Sequence, residues 1–209
     1  MAAWIIGNAK GTQLSFHHDE VQLELYWKGF RDYCKAKGIK KTNTAFAEET
    51  AYRYQGLFPH MRERIEEYNS RGRAERHKLN LFKPHNYVCN QESSRQLYNN
   101  LFNTEIDIVM STPGYLLIGE AKHEETFGAD SQHVLVHQLV RQYVMASILV
   151  NTIGDNCRNE AKKEIIPFVV CDCPSKTTKT AQVQFLHYMK WLCLKNVIPW
   201  EDVRRRVGE

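Results

Sequence analysis

The chain has 209 residues, 43% of them apolar and 25% charged, enough to bury a sizeable core and ordinary for a soluble globular protein. An aromatic content of 11% argues against disorder, and a net charge of +4 permits a polyanionic partner without demanding one. The runs "MAAWIIGNAKG" and "YVMASILV" are too short for a membrane span, and six scattered cysteines without a framework spacing read as reduced thiols, so a cytoplasmic protein with no membrane association is expected.

No internal repeat, low-complexity tract or Pro/Gly-rich linker divides the sequence, which predicts a single domain over 1–209. The N-terminal half reads helical. Leu23, Tyr26, Phe30 and Tyr33 recur at spacings of three and four, predicting a helix over 19–37 that Gly38 stops. Asn43 or Thr44 caps a second helix running through "AFAEETAYRYQGLF", and Pro59 opens a third through Ile65 and Tyr68.

A basic segment (Arg71, Arg73, Arg76, Lys78) precedes a change of pattern. Residues 104–110 alternate, "STPG" has turn composition, and "YLLIGEAKH" forms a second strand. An apolar helix over 129–150, a β-branched strand "EIIPFVVCDC" and a helix over 180–194 follow. This order predicts an α/β fold with a central mixed β-sheet flanked by helices and a helical N-terminal half.

The hairpin carries charges that a buried strand does not ordinarily hold. Side chains alternate along a strand, so Glu105 and Asp107 share one face, and on the next strand Glu120 and Lys122 share a face opposite Leu117, Gly119 and Ala121. The small Gly119 and Ala121 would admit a helix close to that second face. If the two strands are neighbours, Asp107, Glu120 and Lys122 converge. Two carboxylates suit a hard cation such as Mg²⁺, which clamps a phosphodiester oxygen and acidifies a water, while a lysine orients that water and stabilises the developing charge.

An acidic residue on one strand followed by (D/E)-x-K on the next resembles the PD-(D/E)XK, or restriction-endonuclease-like, nuclease superfamily, with the core motif region over about 43–173. Here the pattern is Asp107 in "TEIDIVM" and Glu120-Ala121-Lys122 in "LLIGEAKH", with Ile106 where the family's proline stands. The resemblance implies Asp107 and Glu120 as metal ligands, Lys122 as the water-positioning residue, Mg²⁺ as cofactor with Mn²⁺ substituting, and a DNA substrate cut to leave 5′-phosphate and 3′-hydroxyl ends. A second "EAK", Glu160–Lys162, lies in a polar, turn-like segment with no acidic strand before it, and reads as a solvated loop.

The family also supplies a glutamine from the helix after the (D/E)-x-K strand. His133, His137 and Arg141 form the polar stripe of that helix, and Gln138 beside them is the candidate, with Gln142 second. Gln138 and Tyr143 are one residue too far apart for the Q-x-x-x-Y of the recombination branch. An upstream glutamate often joins the metal site in the family, and Glu49 is chosen over Glu48, Glu66 and Glu67. Arg71, Arg73, Arg76, Lys78 and Arg141 are the candidate DNA contacts.

Rival chemistries have weaker signals. His133-x-x-x-His137 and Cys171-x-Cys173 lack a closed four-ligand zinc spacing, no Gly-rich phosphate loop is present, and no cysteine has a nucleophile signature. The expected function is a Mg²⁺-dependent deoxyribonuclease, structure-selective or nonspecific since no separate recognition domain is visible. The alternative is a catalytically inactive nucleic-acid-binding or assembly module of the same fold. Many family members dimerise, so a homodimer is compatible with the resemblance.

Overall fold

The computed structural model describes residues 1–57, 63, 64, 67, 70, 91–123, 138–156 and 163–208, without the side chains of 151–156. In chain order the elements are α1 (Ala2–Lys10), β1 (Gln22–Trp27), α2 (Gly29–Ala36), α3 (Thr44–Leu57), α4 (Gln91–Phe102), β2 (Ile106–Ser111), β3 (Tyr115–Lys122), α5 (Gln138–Asn156), β4 (Glu164–Cys171), α6 (Pro174–Thr177), α7 (Ala181–Tyr188), β5 (Val197–Pro199) and α8 (Trp200–Val207). No described helix is long and apolar enough to cross a membrane. Chain contacts gather these elements into two compact units: Met1–Trp27, Ile106–Phe127 and Asn159–Glu209 form the first, Lys28–Glu105 and Gly128–Arg158 the second.

The first unit holds a five-stranded mixed sheet in the order β1-β2-β3-β4-β5. The β1–β2 and β2–β3 pairs are antiparallel, and β3–β4 and β4–β5 are parallel. The turn between β2 and β3 closes where the Thr112 N–H donates to Tyr115 O (2.9 Å) and the Tyr115 N–H donates to Thr112 Oγ1 (3.1 Å), with Pro113 fixing φ between them. One face of the sheet carries Met110, Leu117, Ile166, Phe168, Val170 and Ile198, packed with Ile5 and Ile6 of α1. Burying these side chains is the main driving force for this layer. Trp200 and Val203 of α8 pack against the same cluster.

The second unit is helical. Phe30 of α2, Ala47, Ala51 and Tyr54 of α3, Leu97, Tyr98 and Leu101 of α4, and Val140 and Val144 of α5 are among its buried residues. Tyr98 meets Phe30 and Phe46 edge-on, at 5.6 and 5.8 Å between ring centroids. Asn43 caps α3, its Oδ1 accepting from the Phe46 N–H at 3.0 Å. At the end of α2, Gly38 takes φ 67°, the Gly38 N–H donates to Lys35 O, and the Ile39 N–H donates to Cys34 O. That is a Schellman stop requiring a residue at ease with positive φ, so both termini follow the sequence reading.

Two expected helices are corrected. The helix over 19–37 is instead strand β1 followed by α2. Leu23 and Tyr26 are 63% and 68% exposed, so their three-residue spacing marks no buried helical face, and pairing with β2 satisfies the backbone as a strand. The helix over 180–194 ends at Tyr188, because Lys190 adopts φ 62° and the chain turns toward β5. The helix beginning at Pro59 and the first part of the 129–150 helix lie outside the described residues.

Candidate functional site

Position comes first from register. Ile108 pairs with Gly119, so the next step of the antiparallel ladder sets Asp107 across from Glu120. Opposed residues share a face, with Cβ atoms about 4.5–5.5 Å apart. That face is the one turned away from Ile108, Met110, Leu117 and the α1 cluster. Asp107 Oδ2 accepts a hydrogen bond from the Ala121 N–H at 2.9 Å, so the side chain is held against β3 just past the last ladder pair, Ile108–Gly119.

Burial and charge then define the site. Glu120 is 1% exposed, and its Oε1 lies 2.7 Å from Lys122 Nζ, whose side chain is 16% exposed. A buried carboxylate is costly without such a partner. Across from it stands a second carboxylate, and like charges on opposed strands repel. The arrangement therefore calls for positive charge, which Lys122 partly supplies.

The donor set fits a hard divalent cation. Mg²⁺ takes one or two carboxylates and keeps several waters, and Asp107 and Glu120 present hard oxygens on one face. One N–H bond to Asp107 leaves most of its carboxylate's acceptor capacity open. Among the described residues no group of three or more His, Cys, Asp or Glu gathers.

The structure brings together Asp107, Glu120 and Lys122 of the sequence-predicted residues. Gln138, Arg141 and Gln142 stand on α5, in the second unit. Gln142 is buried and its Nε2 donates to Glu105 O at 2.9 Å, both within that unit. Glu49 on α3 is half-exposed and pairs with Arg53 Nη2 at 2.8 Å, an ordinary i,i+4 surface pair. Arg71, Arg73, Arg76, Lys78, His133, His137 and the second "EAK" lie outside the described residues.

Two neighbours of the site went unread in the sequence. The parallel β3–β4 register pairs Lys122 with Cys171, so the residues that follow, His123 and Asp172, meet: His123 Nδ1 lies 2.7 Å from Asp172 Oδ2. Trp200, first residue of α8, donates its Nε1–H to Lys122 O at 3.1 Å. Only a fold that sets β4 beside β3 could reveal either, since nothing local links them. Close by, hydrogen bonding from Ser175 and from the Lys176 backbone holds the Cys173 thiol below its ordinary range, whereas burial pushes Cys171 up. No family model, curated protein or solved structure matches this chain.

Proposed function

We propose that this chain is a metal-dependent nuclease of restriction-endonuclease-like fold that hydrolyses DNA phosphodiester bonds. The observation that carries the reading is the placement of Asp107 across from a buried Glu120 whose carboxylate lies 2.7 Å from Lys122 Nζ. A hairpin bearing these residues, followed by a helix and a strand parallel to its second arm, is the arrangement the resemblance implies.

Asp107 and Glu120 would hold Mg²⁺ or Mn²⁺, which when bound supplies an acidified water and neutralises phosphate charge. Glu120 is fixed by burial and Asp107 by the Ala121 N–H, so both ligands are oriented before substrate arrives. Lys122 donates hydrogen bonds that orient the attacking water toward phosphorus, and its ammonium stabilises the charge growing on the phosphoryl oxygens. Glu120 in turn holds the lysine in place. The chain is read as an intracellular, cytoplasmic enzyme.

The test is incubation with plasmid, single-stranded DNA and RNA in Mg²⁺, Mn²⁺ or EDTA. Cleavage of DNA with either metal and none in EDTA, leaving 5′-phosphate ends, is the expected result. Binding that persists in EDTA, without cleavage in any metal, would overturn the enzyme and leave the binding module.

A further inference from the structure

Past the carboxyl end of β3 lies an open cleft of about 540 Å³, lined among the described residues by His123, Trp200, Val203, Arg204 and Gly208. Its size falls within the range of small-ligand sites. The wall is mainly apolar, made by Trp200 and Val203, with His123 and Arg204 adding polar groups. We propose that this cleft binds an unpaired nucleotide of a DNA strand: its base packs on Trp200 and its phosphate meets Arg204. This rests on the nuclease reading, and names single-stranded or frayed DNA as the substrate class.

Three observations carry it. First, the cleft is joined to the candidate site through the main chain: the Trp200 indole is fixed by its bond to Lys122 O, and His123 follows Lys122 directly. The cleft opens on the α1-packed face and the Lys122 ammonium on the other, so the two meet only at the carboxyl end of β3, round which a single strand would have to pass. Ligands of open sheets gather at the carboxyl ends of parallel strands, and β3 and β4 both end here.

Second, the arginines of α8 divide their duties. Arg205 is bonded to Asp202, and the Arg206 guanidinium stacks 4.1 Å from the Trp4 ring centroid. Arg204 lines the cleft, is exposed, and has no carboxylate or aromatic partner among the described residues. Third, when Asp172 accepts from the His123 Nδ1–H, Nε2 is left as an acceptor, able to take an N–H or O–H of the nucleotide. An aromatic wall with a cation beside it is the chemistry that holds single strands, because every base has a face to stack. A paired, stacked base cannot offer that face, and flipping it costs a few kcal/mol.

Fluorescein-labelled oligo(dT) and a hairpin duplex are titrated in EDTA against the full chain and three variants: Arg204→Ala, Arg205→Ala and Asp107→Asn. Circular dichroism confirms folding, which exposed helix positions such as 204 and 205 should not disturb. Arg204→Ala should weaken oligo(dT) binding about tenfold or more, the scale of one lost base or phosphate contact, whereas the charge-matched Arg205→Ala should change it less than threefold. Ultraviolet crosslinking of 5-iodouracil-substituted oligonucleotide should label the peptide containing Trp200.

Equal binding by the Arg204 and Arg205 variants, with no crosslink at Trp200, would overturn the cleft as a nucleotide site. Tighter binding of the duplex than of oligo(dT) would overturn it as well. Cleavage, assayed separately, distinguishes the two readings. If the wild type never cleaves yet Arg204→Ala alone loses single-strand binding, the nuclease fails and the cleft stands. If Asp107→Asn binds normally without cleaving and Arg204→Ala, unlike Arg205→Ala, loses single-strand binding, both hold.

Discussion

Glu120 and Lys122, two residues apart on β3, form a 2.7 Å ion pair whose carboxylate is almost wholly buried while its ammonium keeps some contact with water. The asymmetry makes Lys122 the counter-charge of a buried anion, and on the proposed function it is a reagent as well. Lys122→Ala should cut the cleavage rate by roughly 100-fold, the scale of losing one preorganised charge-stabilising donor. It should also cost about 2 kcal/mol of stability, because breaking a buried pair leaves one charge in low dielectric. The double variant Glu120→Gln/Lys122→Ala should regain part of that stability and none of the activity. Lys162→Ala should behave as wild type in both assays. Denaturant melts and initial rates on the four proteins decide it, and a Lys122→Ala variant as active as Lys162→Ala would sink the site.

Asp107 is held by the Ala121 N–H, and an amide oxygen can accept that bond as a carboxylate does. Asp107→Asn should therefore fold with less than about 1 kcal/mol of change. Its effect should appear on metal. A ligand that binds the native state stabilises it by mass action, so millimolar Mn²⁺ should raise the melting temperature of the wild type and leave Asp107→Asn unmoved. Equal shifts in the two proteins would place the metal elsewhere.

Gly119 lies beside Phe168 in the parallel register, and a Cβ added at Gly119 would come within 2.1 Å of the phenyl ring. The ring is 1% exposed and packed in the α1-facing core, so it has nowhere to go. Gly119→Ala should destabilise by about 3 kcal/mol, at the upper end of overpacking costs, and lower Tm by roughly 6–12 °C. Gly119→Ala/Phe168→Leu should recover much of the loss. A melt of Gly119→Ala within a degree or so of wild type would refute the packing argument.

Cys173 and Cys171 sit two residues apart with thiols shifted in opposite directions. Thiolate is the reactive form, and its fraction at neutral pH rises as the pKa falls. Iodoacetamide at pH 7 should alkylate Cys173 several-fold faster than Cys171 or the buried Cys34, with the Cys173 rate reaching its plateau at lower pH than for a free cysteine. Ser175→Ala removes the leading cause of the shift and should move that plateau to higher pH. Peptide mapping of the alkylated protein across pH measures both.

What could be read from the sequence followed the range of the forces involved. The β2–β3 hairpin and the shared face of Asp107, Glu120 and Lys122 were legible, because strand alternation and turn chemistry act over a few residues. So were the Asn43 cap and the Gly38 stop. Strand β1 was not, since its hydrogen bonds go to β2, and "LELYW" carries an incidental helical spacing beside its alternation. The His123–Asp172 contact was missed for the same reason: the parallel pairing of β3 and β4 creates it. Gly119 was read as room for a helix, and the space is filled by a side chain from the neighbouring strand.

The antiparallel ladder between β1 and β2 joins Gln22 to Ser111, whereas β2 and β3 meet across a turn of a few residues. Closing a loop of roughly 90 residues costs several times RT more than closing a hairpin, before any contact is gained. The hairpin is therefore the natural nucleus of the sheet, and β1 docks late. It is also the outermost strand, and Leu23 and Leu25 are more than half exposed on it. Until β1 docks, the apolar hairpin has an open edge that can recruit another chain as readily as its own. Substitutions that weaken β1 pairing should therefore raise aggregation during refolding, although this strand is remote in sequence from the residues of the site.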